Sequence, residues 1–275
     1  MNEHRLFKHS KKIGIDEVNL IYMKRDQSGL YSHWKKIATQ QQNDFRAASL
    51  RSLIFSYIDT KKNVLDLGCG TCDMTLFLFK QKVDVTSIDF SIEMLEVGKK
   101  ILRRNGYPIN KVYRQGLESF SKNYPSHFDQ VLCLDVIEHI KNDIAAIKCI
   151  YKLIKPGGKL LLTVPALSYL YGPKDKNVGH YRRYNRQELY AKISNAGFKI
   201  TKVRYWNLLG VLPTFIAVKL LQKRVSENFR YSESIPKIAL QRILRTWFSL
   251  VENKIEPLIG LTLFVVAKKE RELIY

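Results

Sequence analysis

Residues 62–73, K-N-V-L-D-L-G-C-G-T-C-D, turn from a short apolar run into a glycine-rich corner, and M-T-L-F-L-F-K follows them. Val64, Leu65 and Leu67 predict a buried strand, and residues 74–81 predict the helix after it. Glycine lets the backbone bend sharply and approach a ligand closely, and the free N–H groups at a helix N-terminus face whatever binds there. The stretch therefore predicts a nucleotide-binding corner between a strand and a helix.

The spacing of the glycines separates two kinds of cofactor. A dinucleotide fingerprint, G-x-G-x-x-G, would follow Gly68 and Gly70 with a third glycine at position 73, where this chain has Asp73. A carboxylate is a poor neighbour for a pyrophosphate, but a nucleoside cofactor without phosphates tolerates it. Asp66 likewise suits a cationic ligand better than an anionic one. The pattern disfavours a dinucleotide-dependent oxidoreductase.

The run V-L-D-L-G-C-G-T resembles motif I of the class I methyltransferases, which use S-adenosylmethionine, a sulfonium cation without phosphate. The resemblance covers roughly residues 50–205 and departs from the family at Cys72, where glycine is usual. It implies S-adenosylmethionine as cofactor and methyl transfer to an oxygen or nitrogen. Three further motifs follow in the family's order, namely S-I-D-F at 87–90, F-D-Q-V-L-C-L-D-V-I-E-H-I at 128–140 and L-I-K-P-G-G-K-L-L-L-T-V-P at 153–165.

The resemblance also implies which residues bind the cofactor. Asp89, the acid that ends the second strand, would hold the ribose hydroxyls, and Asp66 would lie at the methionine end. Gly116 and Leu117 follow the short strand K-V-Y-R-Q-G and would bracket the adenine. The whole predicted set is Asp66, Gly68, Cys69, Gly70, Asp89, Phe90, Gly116, Leu117 and Leu134.

Strands and helices alternate along the chain with short links, which indicates a parallel sheet covered on both faces. Together with the resemblance this predicts an α/β fold, a Rossmann-like seven-stranded, mostly parallel sheet with an antiparallel last strand. A helical insertion separates the sixth strand from the seventh. We divide the chain into a helical lid region at 1–60, a methyltransferase core at 61–207 with 259–270, and an insertion or cap at 208–258.

The fourth strand ends in D-V-I-E-H, close to the chemistry if strand ends line the ligand crevice. In one branch of the family, the quinone-type O-methyltransferases, acidic residues and a histidine here can hold a divalent metal, and Asp135, Glu138 and His139 match that spacing. The same letters recur in relatives that use no metal, and we expect none. His139 is one candidate base for a hydroxyl acceptor.

Residues 166–185, after the fifth strand, have no period and would lie over the mouth of the site. Their G-H-Y-R-R-Y resembles a subset of bacterial methyltransferases associated with polysaccharide and lipid-linked sugar pathways. It makes His180 a second candidate base. Arg182 and Arg183, with Tyr184, are the candidate substrate-binding residues, because a guanidinium holds carboxylate or phosphate through forked hydrogen bonds. The alternative is a solvated basic loop.

The insertion opens with an apolar run at 208–218, followed by Lys219, Lys223 and Arg224. The run is too short to span a bilayer but long enough to lie in its interface. The alternative is a helical cap over the acceptor pocket, with a second helix from Ile238 to about Lys254. Both interpretations imply an apolar or bulky acceptor.

Lysine and arginine number 46 against 25 acidic residues, giving a net charge of +21. Such charge predicts an anionic partner, namely acidic lipid, nucleic acid or a phosphorylated substrate. The alternative is that lysines simply coat a solvated surface. No separate RNA-binding module accompanies the charge. The four cysteines do not form a disulfide scaffold, and Cys69 and Cys72 lack a second pair for zinc. These thiols, and an N-terminus without an apolar stretch, predict the cytoplasm, including the inner face of the membrane.

Near the N-terminus, Tyr31, His33 and Trp34 are candidates for a lid over the site or for a helix packed on the core. The function predicted is methyl transfer from S-adenosylmethionine to a small or lipid-linked acceptor, such as a sugar or quinone-like molecule. RNA methylation and non-catalytic, membrane-associated binding of S-adenosylmethionine are the alternatives.

Overall fold

The computed structural model describes residues 44–220 and 235–271. The lid candidates Tyr31, His33 and Trp34 lie outside these ranges, as do Lys223 and Arg224. Within them, seven strands are β1 Val64–Leu67, β2 Val85–Asp89, β3 Val112–Arg114, β4 Phe128–Leu134, β5 Ile154–Pro165, β6 Phe198–Trp206 and β7 Thr262–Lys269.

The helices alternate with these strands. They are α1 Phe45–Phe55, α2 Asp73–Lys80, α3 Ile92–Arg104, α4 Leu117–Asn123, α5 Asp143–Leu153, α6 Pro173–Asn177, α7 Arg186–Asn195, α8 Val211–Phe215 and α9 Ile235–Thr246. Helix α8 continues as a π-helix over Ile216–Leu220, and α9 over Trp247–Glu252. No helix in the described ranges is long and apolar enough to cross a bilayer.

The strands form one sheet in the order β3-β2-β1-β4-β5-β7-β6. Strands β1 to β5 pair in parallel, and β7 pairs antiparallel with both β5 and β6. The predicted fold class, with its antiparallel last strand, is confirmed. Because β1 lies between β2 and β4, the strand order reverses there, and ligands of such sheets bind at the carboxyl ends beside that point.

Every residue of β1 is buried, as expected for a parallel strand covered on both faces. One face of the sheet packs against α5 and α7, where Ile147, Ile150 and Ile193 are fully buried. The other face carries Leu78 of α2 and Trp206, which packs against Phe248 of the insertion. The core therefore lies on both sides of the sheet and leaves its carboxyl edge free for a site.

The segment that the sequence leaves without a period is ordered in the structure, as is the stretch before it. The K-P-G-G stretch lies within β5, which starts at Ile154 directly after α5. The segment after β5 is structured, with a 3-10 turn over Ser168–Leu170, helix α6 and a bridge between Ala166 and Tyr184. Asn185 precedes α7, but its side chain accepts from Ser168 and makes no cap bond to α7.

The insertion is joined to the core by a buried acid. The Glu252 carboxylate accepts hydrogen bonds from the backbone N–H groups of Asn207 and Leu208, at 2.8 and 3.1 Å. In contrast, the side of α8 that carries Leu212 and Phe215 is exposed. The base of the insertion is thus fixed, while part of its apolar surface remains uncovered.

Candidate active site

Strained backbone conformations gather at the carboxyl edge of the sheet. Gly68 follows β1 with φ 71°, Asp135 follows β4 with φ 54°, and Leu167 lies two residues beyond β5 with φ 64°. Asn207, directly after β6, has φ 68°. Left-handed backbone in non-glycine residues costs energy and clusters at functional sites. This edge is therefore where we place the candidate active site.

The glycine corner brings together motif I, the S-I-D-F motif and the motif at 128–140 that contains the fourth strand. A Cβ on Gly68 would lie 2.5 Å from Cγ2 of Val136, so only glycine fits at this approach. The N–H of Gly70 donates to Oδ2 of Asp89 at 2.8 Å. Cys72 adopts φ 61°, the conformation for which the family's usual glycine is suited. The corner thus keeps its geometry with cysteine in that place.

Asp89 is held at the corner by a second backbone donor, because the N–H of Ser91 bonds its Oδ1 at 2.8 Å. Burial raises the pKa of the Asp89 carboxyl. A Cβ on Gly116 would lie 4.0 Å from the Phe90 ring, so the predicted ribose and adenine residues are neighbours. Of the predicted cofactor set, those partly exposed at this edge are Gly68, Gly70, Asp89, Phe90, Gly116, Leu117 and Leu134.

Asp66 and Cys69 lie beneath the corner and are buried. The Thr75 hydroxyl donates to Oδ2 of Asp66 at 2.7 Å. Burial raises the pKa of Asp66 to about 6. Contact between Asp66 and the methionine end of the cofactor stays a prediction.

Asp73, which replaces the third glycine, is the first residue of α2 and forms an ion pair with Arg51 of α1. Burial raises its pKa, while the charge of Arg51 opposes that shift. Asp73, whose carboxylate argues against a bound pyrophosphate, therefore also links α1 to the cofactor corner.

The two candidate bases lie together. The rings of His139 and His180 have centroids 4.6 Å apart, and Nε2 of His180 is 3.9 Å from Oε1 of Glu138. Burial lowers the pKa of His139 to about 4, so its ring is neutral near pH 7. Burial also raises the pKa of Glu138 well above its ordinary value. Burial thus disfavours the charged forms of both Glu138 and His139.

His180 is oriented by a residue that the sequence did not reveal. Its Nδ1 lies 3.1 Å from Oδ1 of Asp175, whose carboxylate also accepts from Nε of Arg183 at 2.9 Å and from the N–H of Gly172 at 3.0 Å. Asp175 is 1% exposed. A lone aspartate five residues before a histidine in an aperiodic segment carries no pattern that would have predicted this contact.

Two of the three predicted substrate-binding residues meet at Asp143, the first residue of α5. Arg182 pairs with Asp143 at 2.9 Å, and the Tyr184 hydroxyl donates to the same carboxylate at 2.9 Å. Tyr184 is fully buried and its ring belongs to the core, and its contact with substrate stays a prediction. Arg182 and Arg183 are partly exposed, and their contact with substrate stays a prediction.

The quinone-type branch implies Asp135, Glu138 and His139 as metal ligands, but a different set of residues converges here. Thr163 donates to Oδ1 of Asp135 at 3.1 Å, and Asp135 faces the cleft, reaching solvent although protein atoms crowd its carboxyl. That crowding raises its pKa. Within the described part of the chain, the potential ligands that converge are Glu138, His139 and His180, whose donor atoms lie within 4.8 Å of one another. The expectation of no metal stays a prediction.

Comparison with known proteins supports this assignment of the edge. A family model described as "Methyltransferase domain" matches residues 39–203. The ubiquinone biosynthesis O-methyltransferase of Xanthomonas euvesicatoria is 28% identical over 174 residues, which cover 56% of this chain and 72% of that protein. The protein of the same name from Dechloromonas aromatica is 35% identical over 103 residues, covering 37% of this chain and 44% of that protein. This chain thus spans less than half of the second relative.

Solved structures share the fold at low sequence identity. A methyltransferase from Methanosarcina mazei has a TM-score of 0.52 and 18% identity, with 80% of this chain and 97% of that chain covered. The [4+2]-cyclase SpnF has a TM-score of 0.55 and 18% identity, with 82% of each chain covered. These likenesses concern the fold, whereas the family match covers the corner, Asp89 and the cluster. The chain belongs to the methyltransferase domain family and is a class I methyltransferase whose cofactor is S-adenosylmethionine.

Proposed function

We propose that the enzyme transfers its methyl group to a hydroxyl oxygen of a quinone-like aromatic acceptor. The similarity to proteins named ubiquinone biosynthesis O-methyltransferase, at 28% and 35% identity, carries this proposal. Methylation of a phenolic oxygen requires that the hydroxyl lose its proton. The pair of histidines beside the cofactor corner supports an acceptor of this kind, because it supplies groups that can take that proton.

On the cofactor side, the chain contributes mainly position. Asp89 would hold the ribose hydroxyls, and the backbone at Gly68 and Gly70 would allow close approach of the nucleoside. The sulfonium is a good leaving group by itself, so alignment of the acceptor oxygen with the sulfur–methyl bond provides most of the acceleration. Both the cofactor and the acceptor would then lie at the carboxyl edge of the sheet.

Of the two histidines, His180 is better suited to accept the proton. The pKa of His139, lowered by burial to about 4, makes that ring a weak base near neutral pH. The contact of Nδ1 of His180 with Asp175 fixes the ring so that Nε2 points toward Glu138 and His139. We therefore assign the base to His180, on the segment after β5.

The test uses purified protein and S-adenosylmethionine labelled in its methyl group. Three acceptors are offered separately: a prenylated catechol, a polyprenyl-linked sugar and transfer RNA. We expect a labelled methyl ether of the catechol and an equal amount of S-adenosylhomocysteine. Label in the sugar or the RNA, or on a carbon or nitrogen atom, would refute the proposed acceptor class. His180→Gln should lower kcat, with His127→Gln as a control outside the cluster.

We propose in addition that the enzyme reaches this acceptor at an anionic membrane surface. Leu212, Phe215 and Ile216 are exposed at positions i, i+3 and i+4, and exposed Lys219 follows one turn later. Apolar side chains flanked by lysine suit the interface of an acidic bilayer. The net charge of +21 adds long-range attraction to the same surface.

A further inference from the structure

Two side chains next to the cofactor corner are buried without partners. Glu138 is fully buried, and among the described residues neither of its carboxylate oxygens has a hydrogen-bond partner. The same holds for Nδ1 of His139. Buried polar atoms in native proteins are almost always bonded, because an isolated buried carboxylate costs several kcal/mol. Both groups therefore face a position that something else is expected to fill.

His180 completes the set from the opposite side. Its Nε2 lies 3.9 Å from Oε1 of Glu138, and its ring centroid lies 4.6 Å from that of His139. One donor atom from each of the three residues falls within 4.8 Å of the other two. His139 and His180 are partly exposed, so the position between them is open to the cleft.

Both imidazoles are held through their far nitrogen. Nδ1 of His180 contacts the carboxylate of Asp175, which Arg183 and Gly172 hold in turn. The His139 ring bonds the backbone of Gly179, which involves its other nitrogen because Nδ1 has no partner. Histidines that bind metals almost always give their second N–H to a carboxylate or a backbone carbonyl. Both rings have that arrangement, and it leaves a lone pair of each toward Glu138.

We propose that Glu138, His139 and His180 bind one divalent transition-metal ion, through a carboxylate oxygen, Nδ1 of His139 and Nε2 of His180. This set differs from the sequence-implied triplet, since His180 replaces Asp135, which Thr163 already engages. It also changes the expected ion. Two imidazoles and one carboxylate suit Zn²⁺ or Co²⁺, whereas Mg²⁺ prefers oxygen ligands.

To bind an ion, the three ligand side chains must move closer together. Zinc binds nitrogen and oxygen at about 2.0–2.2 Å, which places neighbouring ligand atoms about 3–3.5 Å apart. The 3.9 Å between His180 and Glu138 must shorten by about half an ångström. A bound cation lowers the pKa of a hydroxyl that approaches it. With the ion bound, Nε2 of His180 would be a ligand and the hydroxyl proton would pass to solvent water. The role of base that we propose for His180 therefore applies to the metal-free protein. The inference holds whichever acceptor is methylated.

Metal binding is tested without an acceptor. Tag-free protein is stripped with EDTA, returned to chelator-free buffer and titrated with Co²⁺, with visible ligand-field absorption as readout, and with Zn²⁺ and Mg²⁺ by calorimetry. We expect one equivalent of Co²⁺ with absorption bands, and Zn²⁺ binding at least 100-fold tighter than Mg²⁺. Absence of bands, or preference for Mg²⁺, would overturn the proposal. Failure of the methylation assay would leave these results unaffected.

Variants identify the ligands. His180→Gln and Glu138→Gln should each weaken Zn²⁺ binding at least 100-fold, and Asp175→Asn by about tenfold, the range for residues that orient a ligand. Asp135→Asn is the discriminating variant and should bind Zn²⁺ like the wild type. If Asp135→Asn loses as much affinity as His180→Gln, the proposed set is wrong. Retained binding of S-adenosylmethionine verifies the fold of each variant, and His180→Gln alone decides if Glu138→Gln does not fold.

Discussion

Asp66 lies in the centre of the sheet, below the corner that approaches the cofactor, and is 2% exposed. The Thr75 hydroxyl donates to it, yet burial raises its pKa from 3.8 to about 6. The folded protein therefore binds the Asp66 proton more tightly than the unfolded chain does. The stability that Asp66 contributes is complete below pH 3.8 and is lost as the pH rises through about 6.

This linkage predicts a pH-dependent difference between wild type and Asp66→Asn. The neutral amide keeps an acceptor for Thr75 and has no charge to bury, so the variant should gain stability relative to wild type as the pH rises. Between pH 4 and pH 7 the difference in free energy of unfolding should change by about 2.4 kcal/mol. Urea denaturation at several pH values measures it. A difference that stays constant with pH would contradict the prediction.

The positions of residues within local motifs could be predicted from the sequence, whereas contacts between residues far apart in the chain could not. Gly68, Gly70 and Asp89 belong to strand ends whose position follows from the alternation of strands and helices. The contact of the Tyr184 hydroxyl with Asp143, 41 residues away, could not be predicted from the sequence. Likewise, nothing local indicates that Asp175 orients His180, since burial of that pair depends on how the whole segment folds onto β5.

At the scale of elements, the insertion is fixed through buried polar contacts at the end of β6. Glu252 accepts from two backbone N–H groups and from Nε1 of Trp247 at 2.9 Å. Arg204, 4% exposed, donates to the carbonyls of Glu252 and Ile255 at 2.6 and 2.5 Å. The sequence predicted a helical insertion here from the extra residues between the sixth and seventh strands of the expected fold. It could not predict this junction, which depends on which charges become buried together.

Removing the Glu252 carboxylate should therefore be costly. Glu252→Ala leaves the N–H groups of Asn207 and Leu208 and Nε1 of Trp247 without their acceptor, so we expect a loss of about 3–5 kcal/mol in the free energy of unfolding. Glu256→Ala is the matched control, because that carboxylate is half exposed and pairs with Lys202. It should cost less than about 1 kcal/mol. Equal losses in urea denaturation of the two variants would rule out a special role for Glu252.

At the scale of the whole molecule, charge and exposed apolar surface favour the same partner. The excess of basic residues attracts anionic surfaces over a distance of about 10 Å at moderate salt. The exposed side of α8 adds short-range contact, with Leu212 66% exposed. An acceptor with a lipid tail would be presented at such a surface.

Membrane association predicts that Leu212→Asp with Phe215→Asp abolishes sedimentation with phosphatidylglycerol vesicles, because two charges then oppose insertion. Ile144→Asp is the control, since Ile144 is also exposed, at 47%, but lies on α5 away from the insertion. Wild type and the control should sediment at low salt and less at high salt. Unchanged sedimentation of the double variant would eliminate α8 as the contact.

The position of β7 also has a consequence during protein synthesis. It pairs with β5 on one side and β6 on the other, yet residues 207–261 separate it from β6 along the chain. At translation rates of about 5–20 residues per second, synthesis of residues 207–261 takes roughly 3–11 s. For at least that time, β5 and β6 lack the strand that joins them. Throughout that interval both expose unpaired backbone edges, which are templates for pairing with other chains. The nascent protein is therefore most vulnerable to aggregation just before its last strand emerges from the ribosome.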